Sequence, residues 1–79
     1  MTATRRIHVD DLSQVAEGRR AAANLASAFG LCETEIGKVS IVVTELATNL
    51  IKHAKGGELV LNSAQPDGVW LEILALDKG

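Results

Sequence analysis

Residues 43–54 read VTELATNLIKHA, and this stretch decides the fold. Its apolar side chains recur at helical spacing, which predicts the second half of an amphipathic helix. The apolar positions are Val43, Leu46, Ala47, Leu50 and Ala54. The polar positions are Glu45, Asn49, Lys52 and His53. Because helical residues three and four apart are neighbours, a carboxylate, an amide, an ammonium and an imidazole are predicted to cluster beside a buried stripe.

The helix that contains this stretch is predicted to begin within residues 31–35, where two glutamates suit the positive end of the helix dipole. It is expected to end near Lys55, before the pair Gly56-Gly57. The run Ile41–Val43 has the β-branched character of a strand, but helical spacing continues on both sides of it. We therefore assign it to the helix.

An earlier helix is predicted from Leu12 to Phe29, with Asp11 as its N-cap and Gln14 completing a variant of the capping box. Gly30 is expected to follow as a left-handed C-cap. The apolar positions of its buried face are Leu12, Val15, Ala22, Leu25, Ala26 and Phe29. Before this helix, residues 6–9 alternate polar and apolar side chains and predict a short strand after a loose tail at residues 1–4.

The last third of the chain is predicted to be an antiparallel hairpin. Residues 58–64 form its first strand, residues 65–68 form a turn that contains proline and glycine, and residues 69–76 form its second strand. The resulting order is β-α-α-β-β, with both helices on the apolar side of the sheet. The fold class is therefore α+β, a two-layer α/β sandwich, in one domain spanning residues 1–79.

Composition excludes several classes of function. The 79 residues are 47% hydrophobic and mostly aliphatic, with one Phe and one Trp, so base-stacking platforms for single-stranded nucleic acid are nearly absent. The net charge is −2 and no basic stripe for duplex binding occurs. No apolar run reaches the length of a membrane span. A single cysteine, Cys32, and the lack of an export signal favour the cytoplasm.

The polar positions 45, 49 and 52 suggest phosphate and metal chemistry. The side-chain oxygens of Glu45 and Asn49, one turn apart, are suitable ligands for a hard cation such as Mg²⁺. Glu45 could instead orient or deprotonate an attacking group, and Lys52 could hold a phosphate. Spacing alone leaves a simple solvated helix surface as the favoured alternative.

Two motifs add a family resemblance that covers almost the whole chain. Residues 45–54 resemble the N-box of the GHKL ATP-binding superfamily, and residues 74–79 resemble the start of its Asp-x-Gly-x-Gly motif. The N-terminal half, including Gly18-Arg19-Arg20 and Phe29-Gly30, is similar to the bacterial anti-sigma and stress-switch serine/threonine kinases. The resemblance implies a GHKL ATPase fold that binds ATP and Mg²⁺.

The resemblance also implies roles for individual residues. Asn49 would coordinate the Mg²⁺ that bridges the phosphates of ATP, and Glu45 would act as general base or polarise the acceptor. Lys52 would contact phosphate and His53 would line the nucleotide pocket. Asp77 would accept a hydrogen bond from the adenine amino group, with Gly79 letting the backbone approach the base. Without the N-box, Asp77 is equally well explained as the end of a strand in a tight turn.

The resemblance has departures. The sequence stops before the second glycine of Asp-x-Gly-x-Gly and lacks the later glycine-rich lid and further strands. We therefore expect the N-terminal half of a GHKL domain, which on its own binds nucleotide weakly or not at all and is inactive. The exposed strand edge and uncovered sheet face lead us to expect a homodimer or a strand-exchanged oligomer.

Two functions from different classes remain open, so the sequence leaves enzyme activity undecided. In the first, the protein is a switch-type kinase that phosphorylates Ser or Thr on a STAS-domain antagonist protein. In the second, it is a non-catalytic interaction module that regulates a sigma factor or a PP2C-like phosphatase. Glu45 favours catalysis, because a pure binding module needs no base. Arg19 and Arg20 are expected on a solvated helix face, with contact to a partner as the alternative.

Overall fold

A computed structural model describes residues 2–64 and 70–77 of the chain. Two helices pack on one face of a three-stranded antiparallel sheet, so the predicted α+β class and the β-α-α-β-β order are confirmed. The elements are β1 (Thr2–Val9), α1 (Leu12–Ala28), α2 (Glu33–Ala54), β2 (Gly57–Ala64) and β3 (Trp70–Asp77). The predicted turn at residues 65–68, together with Val69, lies outside the described residues.

The central strand of the sheet is β2, which pairs antiparallel with β1 on one side and with β3 on the other. Its first residue, Gly57, lies between Val9 and Asp77. Its last residue, Ala64, lies between Thr2 and Trp70. The predicted hairpin is thus present in full register, and α2 leads directly into the middle of the sheet.

The first strand is longer than the sequence pattern predicts. It begins at Thr2 rather than at residue 6, so the prediction of a loose tail at residues 1–4 is wrong where the structure describes it. Pairing partners for these early residues are supplied by β2, which extends far enough for Thr2 to lie opposite Ala64. The length of β1 is therefore set by its partner strand and not by its own alternation, which is weak here.

The core lies between the inner face of the sheet and the two helices. It consists of Ile7, Val9, Val15, Ala21, Ala22, Leu25, Phe29, Val43, Ala47, Leu50, Leu59 and Leu61. Leu12 does not belong to it, since its side chain is 72% exposed, and its prediction as a core residue is wrong. The reason is geometric: helical side chains lean toward the helix N-terminus, so the first residue of α1 points past the core.

Helix α1 starts at the predicted residue and ends one residue earlier than predicted, at Ala28, with Phe29 as its C-cap. The Asp11 carboxylate accepts a hydrogen bond from the Ser13 backbone N–H at 2.9 Å, and the Gln14 side chain accepts one from the Asp11 N–H at 3.1 Å. These bonds complete the predicted capping box. Gly30 follows the helix with a φ of 85°, the left-handed conformation that glycine adopts without steric cost.

The outer face of the sheet, which the helices leave uncovered, is part polar and part apolar. Arg6 on β1 pairs with Glu58 on β2 at 3.0 Å, while Leu74 and Leu76 on β3 remain 39% and 45% exposed. The expected pairing of this surface with a second copy stays a prediction. Within the described parts of the chain, neither helix combines the length and the hydropathy that a membrane-spanning segment requires.

Candidate functional site

The polar side chains of α2 form one exposed row along the helix, which we call the polar row. Its members are Glu45, Asn49, Lys52 and His53, and all four are exposed. On the opposite side of α2, Val43, Ala47 and Leu50 are buried against the rest of the core. The buried side fixes the rotation of the helix about its axis, so the polar row faces outward, where a ligand can reach it.

The N-terminal end of α2 is held by its own cap. The Cys32 backbone N–H donates to the Glu35 carboxylate at 3.1 Å, and this hydrogen bond lowers the pKa of Glu35 below its ordinary value. Glu33 and Glu35 both lie in the first turn, as predicted from the helix dipole. The cap and the buried face together give the polar row a rigid support.

The C-terminal end of α2 turns sharply into β2. Lys55 has a φ of 58° and Gly56 has a φ of 99°, so two consecutive residues adopt left-handed backbone. The Gly56 N–H donates to the Leu50 carbonyl oxygen at 2.8 Å, which satisfies one of the last carbonyls of the helix. A side chain on Gly56 would also lie 2.7 Å from the Val9 carbonyl oxygen, so the turn has room for glycine only.

Gly57 brings Asp77 to the end of α2. In the sheet, Gly57 lies directly opposite Asp77. A Cβ built on Gly57 would be 2.9 Å from the Asp77 Cα and 3.1 Å from a side-chain methyl of Leu50. Leu50 directly follows Asn49 in α2. The backbone of Asp77 is therefore adjacent to the C-terminal half of α2, and the exposed Asp77 extends the candidate site onto β3.

Sequence reasoning missed the part that Gly57 plays in this arrangement. The pair Gly56-Gly57 was interpreted only as the end of a helix, which explains Gly56 alone. The unexplained second glycine was the available signal, because a glycine inside a strand often marks close approach of another backbone.

A surface groove lies between α1 and α2 and shares one residue with the polar row. We call it the α1–α2 groove; it has a volume of about 250 Å³. Its walls are formed by Arg19, Ser40, Ile41, Thr44 and Glu45. The sequence singled out Glu45, but it placed Arg19 on a solvated helix face and did not predict a groove.

Next to the groove, α1 approaches α2 and the sheet closely at Gly18. A Cβ on Gly18 would lie 2.9 Å from a methyl of Leu59 and 3.6 Å from a methyl of Val43. Gly18 is buried, and Arg19 follows it directly in the chain. Beside this close crossing, Arg19 and Glu45 line the same groove.

The donor set of the polar row suits a nucleotide bound with a hard cation. Asn49 offers a neutral amide oxygen, Glu45 a carboxylate, and Lys52 and His53 offer donors to phosphate. Within residues 2–64 and 70–77, no three His, Cys, Asp or Glu side chains come together as a metal site. A cation here would accordingly be held by few protein atoms together with the phosphates of its nucleotide, as is common for Mg²⁺.

The structure brings most of the predicted site residues to one end of the fold. The polar row follows α2 toward its C-terminus, where Gly57 places the backbone of Asp77 beside Leu50. Gly79, predicted to contact the base, lies outside the described residues. The individual roles assigned to these side chains remain predictions.

Comparison with known proteins identifies one family. A sequence model described as the histidine kinase-like ATPase domain matches residues 9–79. The match includes both helices, the whole polar row, β2 and β3. No curated protein matches the chain at a significant level.

Proposed function

Because the chain belongs to the histidine kinase-like ATPase domain family, we propose that it is a switch-type serine/threonine protein kinase that uses ATP and Mg²⁺. The main support is that Gly57 allows the backbone of Asp77, in the Asp-x-Gly motif, to lie close to α2, which carries the N-box. Helix α2 carries Glu45 and Asn49, and the backbone of Asp77 lies beside its C-terminal end. A nucleotide can thereby contact residues of both motifs at once.

Nucleotide binding rests on the C-terminal half of the polar row. Asn49 would hold Mg²⁺ through its amide oxygen, Lys52 would hold phosphate as a point charge, and His53 would line the pocket. Asp77 accepts a hydrogen bond from the adenine amino group. Such a carboxylate discriminates strongly against purines that lack the amine.

Phosphoryl transfer rests on Glu45. Bound Mg²⁺ would neutralise much of the charge of the phosphoryl group that ATP supplies. The acceptor hydroxyl oxygen forms a bond to the γ-phosphorus while the bond to the ADP oxygen breaks, and Glu45 takes the hydroxyl proton. Glu45 lies one helical turn before Asn49, so the base and the metal-binding amide are neighbours on one helix face.

The acceptor in this proposal is a serine or threonine of a STAS-domain antagonist protein. The subtype follows from the resemblance of the N-terminal half of the sequence to anti-sigma switch kinases. A sigma factor or a PP2C-like phosphatase would be the partner if the domain acts by binding alone.

Calorimetric titration with Mg-ATP tests the nucleotide site. Asn49→Ala should weaken binding by about tenfold or more, because a metal-coordinating group is lost. Asn24→Ala is the matched control, since Asn24 is an exposed asparagine on α1 outside the site. Equal affinity of Asn49→Ala and the wild type would refute the assignment of the N-box.

Transfer of labelled phosphate from ATP to a STAS-domain protein tests the catalytic step. Glu45→Gln should lower the transfer rate by about 10²–10⁴-fold, the usual contribution of a general base, and should leave Mg-ATP affinity unchanged. Glu17→Gln, at an exposed position on α1, is the control. Equal transfer rates for Glu45→Gln and the wild type would refute Glu45 as the base.

A further inference from the structure

Strand β3 is an edge strand of the sheet that the described residues form, because the strand order is β1-β2-β3. We call its side away from β2 the β3 edge. The four consecutive residues 74–77 on this strand are exposed, and they include Leu74 at 39% and Leu76 at 45%. An exposed apolar edge strand is a template on which a further strand can pair.

The exposed part of β3 begins where the cover from the helices ends. Leu71 and Ile73, on the inner face of the strand, pack against the core. Ala75, the next residue on that face, is exposed. Leu74 and Leu76 lie on the outer face, since side chains alternate along a strand. The second half of β3 is therefore accessible on both faces, and its inner face carries only a methyl group at residue 75.

The charges on the two edge strands favour pairing at β3. On β1, Arg5, Arg6 and His8 are all exposed, and charged side chains at an edge discourage pairing with another strand. Between residues 71 and 76 of β3 the single charged residue is Glu72. Its carboxylate accepts a hydrogen bond from the Asn62 side-chain amide within the same sheet, at 3.0 Å.

A two-fold axis normal to the sheet places one residue of β3 opposite itself in a second copy, and the choice of that residue sets the register. Centring on residue 72, 73 or 74 would place the Glu72 carboxylate opposite Glu72, Leu74 or Leu76 of the second copy. Like charges or an apolar side chain would then face a carboxylate. Centring on Ala75 places Leu74 opposite Leu76 twice and keeps the two Glu72 side chains apart.

From this pattern we propose that the β3 edge binds a second copy of the chain, in antiparallel pairing centred on Ala75. Residues 73–77 of each copy pair, and the two sheets become one sheet of six strands. The leucines at positions 74 and 76 cover each other on its outer face. The inference does not depend on the proposed kinase function. It places the dimer interface beside Asp77, which lies opposite the partner's Ile73.

Analytical ultracentrifugation of the full chain tests the dimer. The wild type should show a monomer–dimer equilibrium. Leu74→Lys should weaken dimerisation by about tenfold or more, because the symmetry removes two leucine contacts with one substitution. Leu12→Lys is the matched control, since Leu12 is a 72% exposed leucine on α1, and it should dimerise like the wild type. A wild type that is monomeric at millimolar concentration, or equal effects of the two substitutions, would overturn the proposal.

Disulfide formation tests the register in a Cys32→Ser background, because Cys32 is itself an exposed thiol. Cβ atoms of directly opposite residues lie about 4.5–5.5 Å apart, close to the span of a disulfide. Ala75→Cys should therefore give a covalent dimer on mild oxidation. Ala28→Cys makes the same change at an exposed position on α1 and should remain monomeric under reducing-agent-free electrophoresis.

Leu74→Cys locates the axis. In the proposed register each residue 74 is offset by two positions from its own copy, about 7 Å along the strand, so its disulfide should form more slowly than that of Ala75→Cys. Faster formation at position 74 than at position 75, or equal formation at positions 75 and 28, would contradict the pairing.

These outcomes are separate from a failure of the proposed function. Mg-ATP titration measures the nucleotide site, whereas sedimentation and disulfide formation measure the β3 edge. A monomeric wild type that binds Mg-ATP would overturn the dimer and leave the proposed function intact. A dimer that forms the disulfide at position 75 but binds no Mg-ATP would support the interface and refute the kinase assignment.

Discussion

Gly57 and Asp77 lie opposite each other at the end of the β2–β3 pairing, and a Cβ on Gly57 would lie 2.9 Å from the Asp77 Cα. The same Cβ would fall inside van der Waals contact with the Leu76 carbonyl oxygen. Both neighbouring atoms belong to backbone, so neither can rotate away. The missing side chain of Gly57 is what lets β3 approach the end of α2.

Gly57→Ala is therefore expected to destabilise the protein and to weaken nucleotide binding together. Overpacking of this kind costs about 1–3 kcal/mol in the free energy of unfolding. The displaced strand end carries Asp77, so Mg-ATP affinity should fall as well. Urea denaturation and calorimetric titration of the variant measure the two effects.

Gly37→Ala is the control for that substitution. Gly37 is exposed in α2 and a Cβ there would contact nothing within 4 Å. Alanine should stabilise the helix by about 0.5–1 kcal/mol, because glycine is a poor helix former. A Gly57→Ala protein as stable as the wild type would show that β3 can shift without cost.

Gly18→Val tests the close crossing of α1 over the core. Its Cβ would already lie 2.9 Å from a methyl of Leu59, which is fully buried, and valine adds two further carbons. We expect a loss of about 1–3 kcal/mol in the free energy of unfolding. Gly37→Val, in open space on α2, should stay within about 0.5 kcal/mol of the wild type. The urea denaturation midpoints of the two variants, compared at equal m-values, measure this difference in stability.

Leu61→Ala and Leu12→Ala should differ sharply in their effect on the free energy of unfolding, although the chemical change is the same. Leu61 has no exposed surface in the central strand, and removing its side chain should cost about 2–5 kcal/mol. Leu12 is 72% exposed, so its truncation should cost less than about 0.5 kcal/mol. A large cost at Leu12 would indicate that it is covered in solution, for instance by a partner.

Asp11 should contribute stability that depends on pH. Hydrogen bonds from the Ser13 hydroxyl and backbone N–H lower the pKa of the Asp11 carboxyl below its ordinary 3.8. Because the folded-state pKa is the lower one, this contribution is complete above pH 3.8 and is lost as the pH falls through the lowered pKa. A ¹³C NMR titration should place the Asp11 midpoint below 3.8.

Ser13→Ala provides the control, since it removes the side-chain donor and should move the Asp11 midpoint upward. Asp11→Asn keeps a capping side chain without a titrating group, so it should remove this part of the pH dependence. A midpoint that is the same in wild type and Ser13→Ala would exclude the hydroxyl as the main cause.

Local chemistry made much of the fold predictable from the sequence. The capping box at Asp11 and Gln14, the glycine after α1 and the 3.6-residue period of α2 each involve residues close together in the chain. The period also placed Glu45 and Asn49 on the exposed side of α2, which the structure confirms. The two motifs predicted the family, and the match over residues 9–79 agrees.

Other features depend on how distant segments meet, and the sequence pattern does not contain them. The full length of β1 is set by pairing with β2, and the exposure of Leu12 by where the first residue of α1 lies relative to the core. Arg19 and Glu45 line the same groove, and Gly18, the residue before Arg19, lies where α1 comes close to Leu59.

The stretch at residues 43–54, which contains the N-box, shows the same division. Its sequence determined that a helix forms and which of its sides is polar, because both follow from spacing along one helix. The tertiary structure alone decided what lies at each end of the polar row: a groove with Arg19 at one end, and Asp77 at the other. Those contacts are non-local, and they arise only when the core packs the helices and strands against each other.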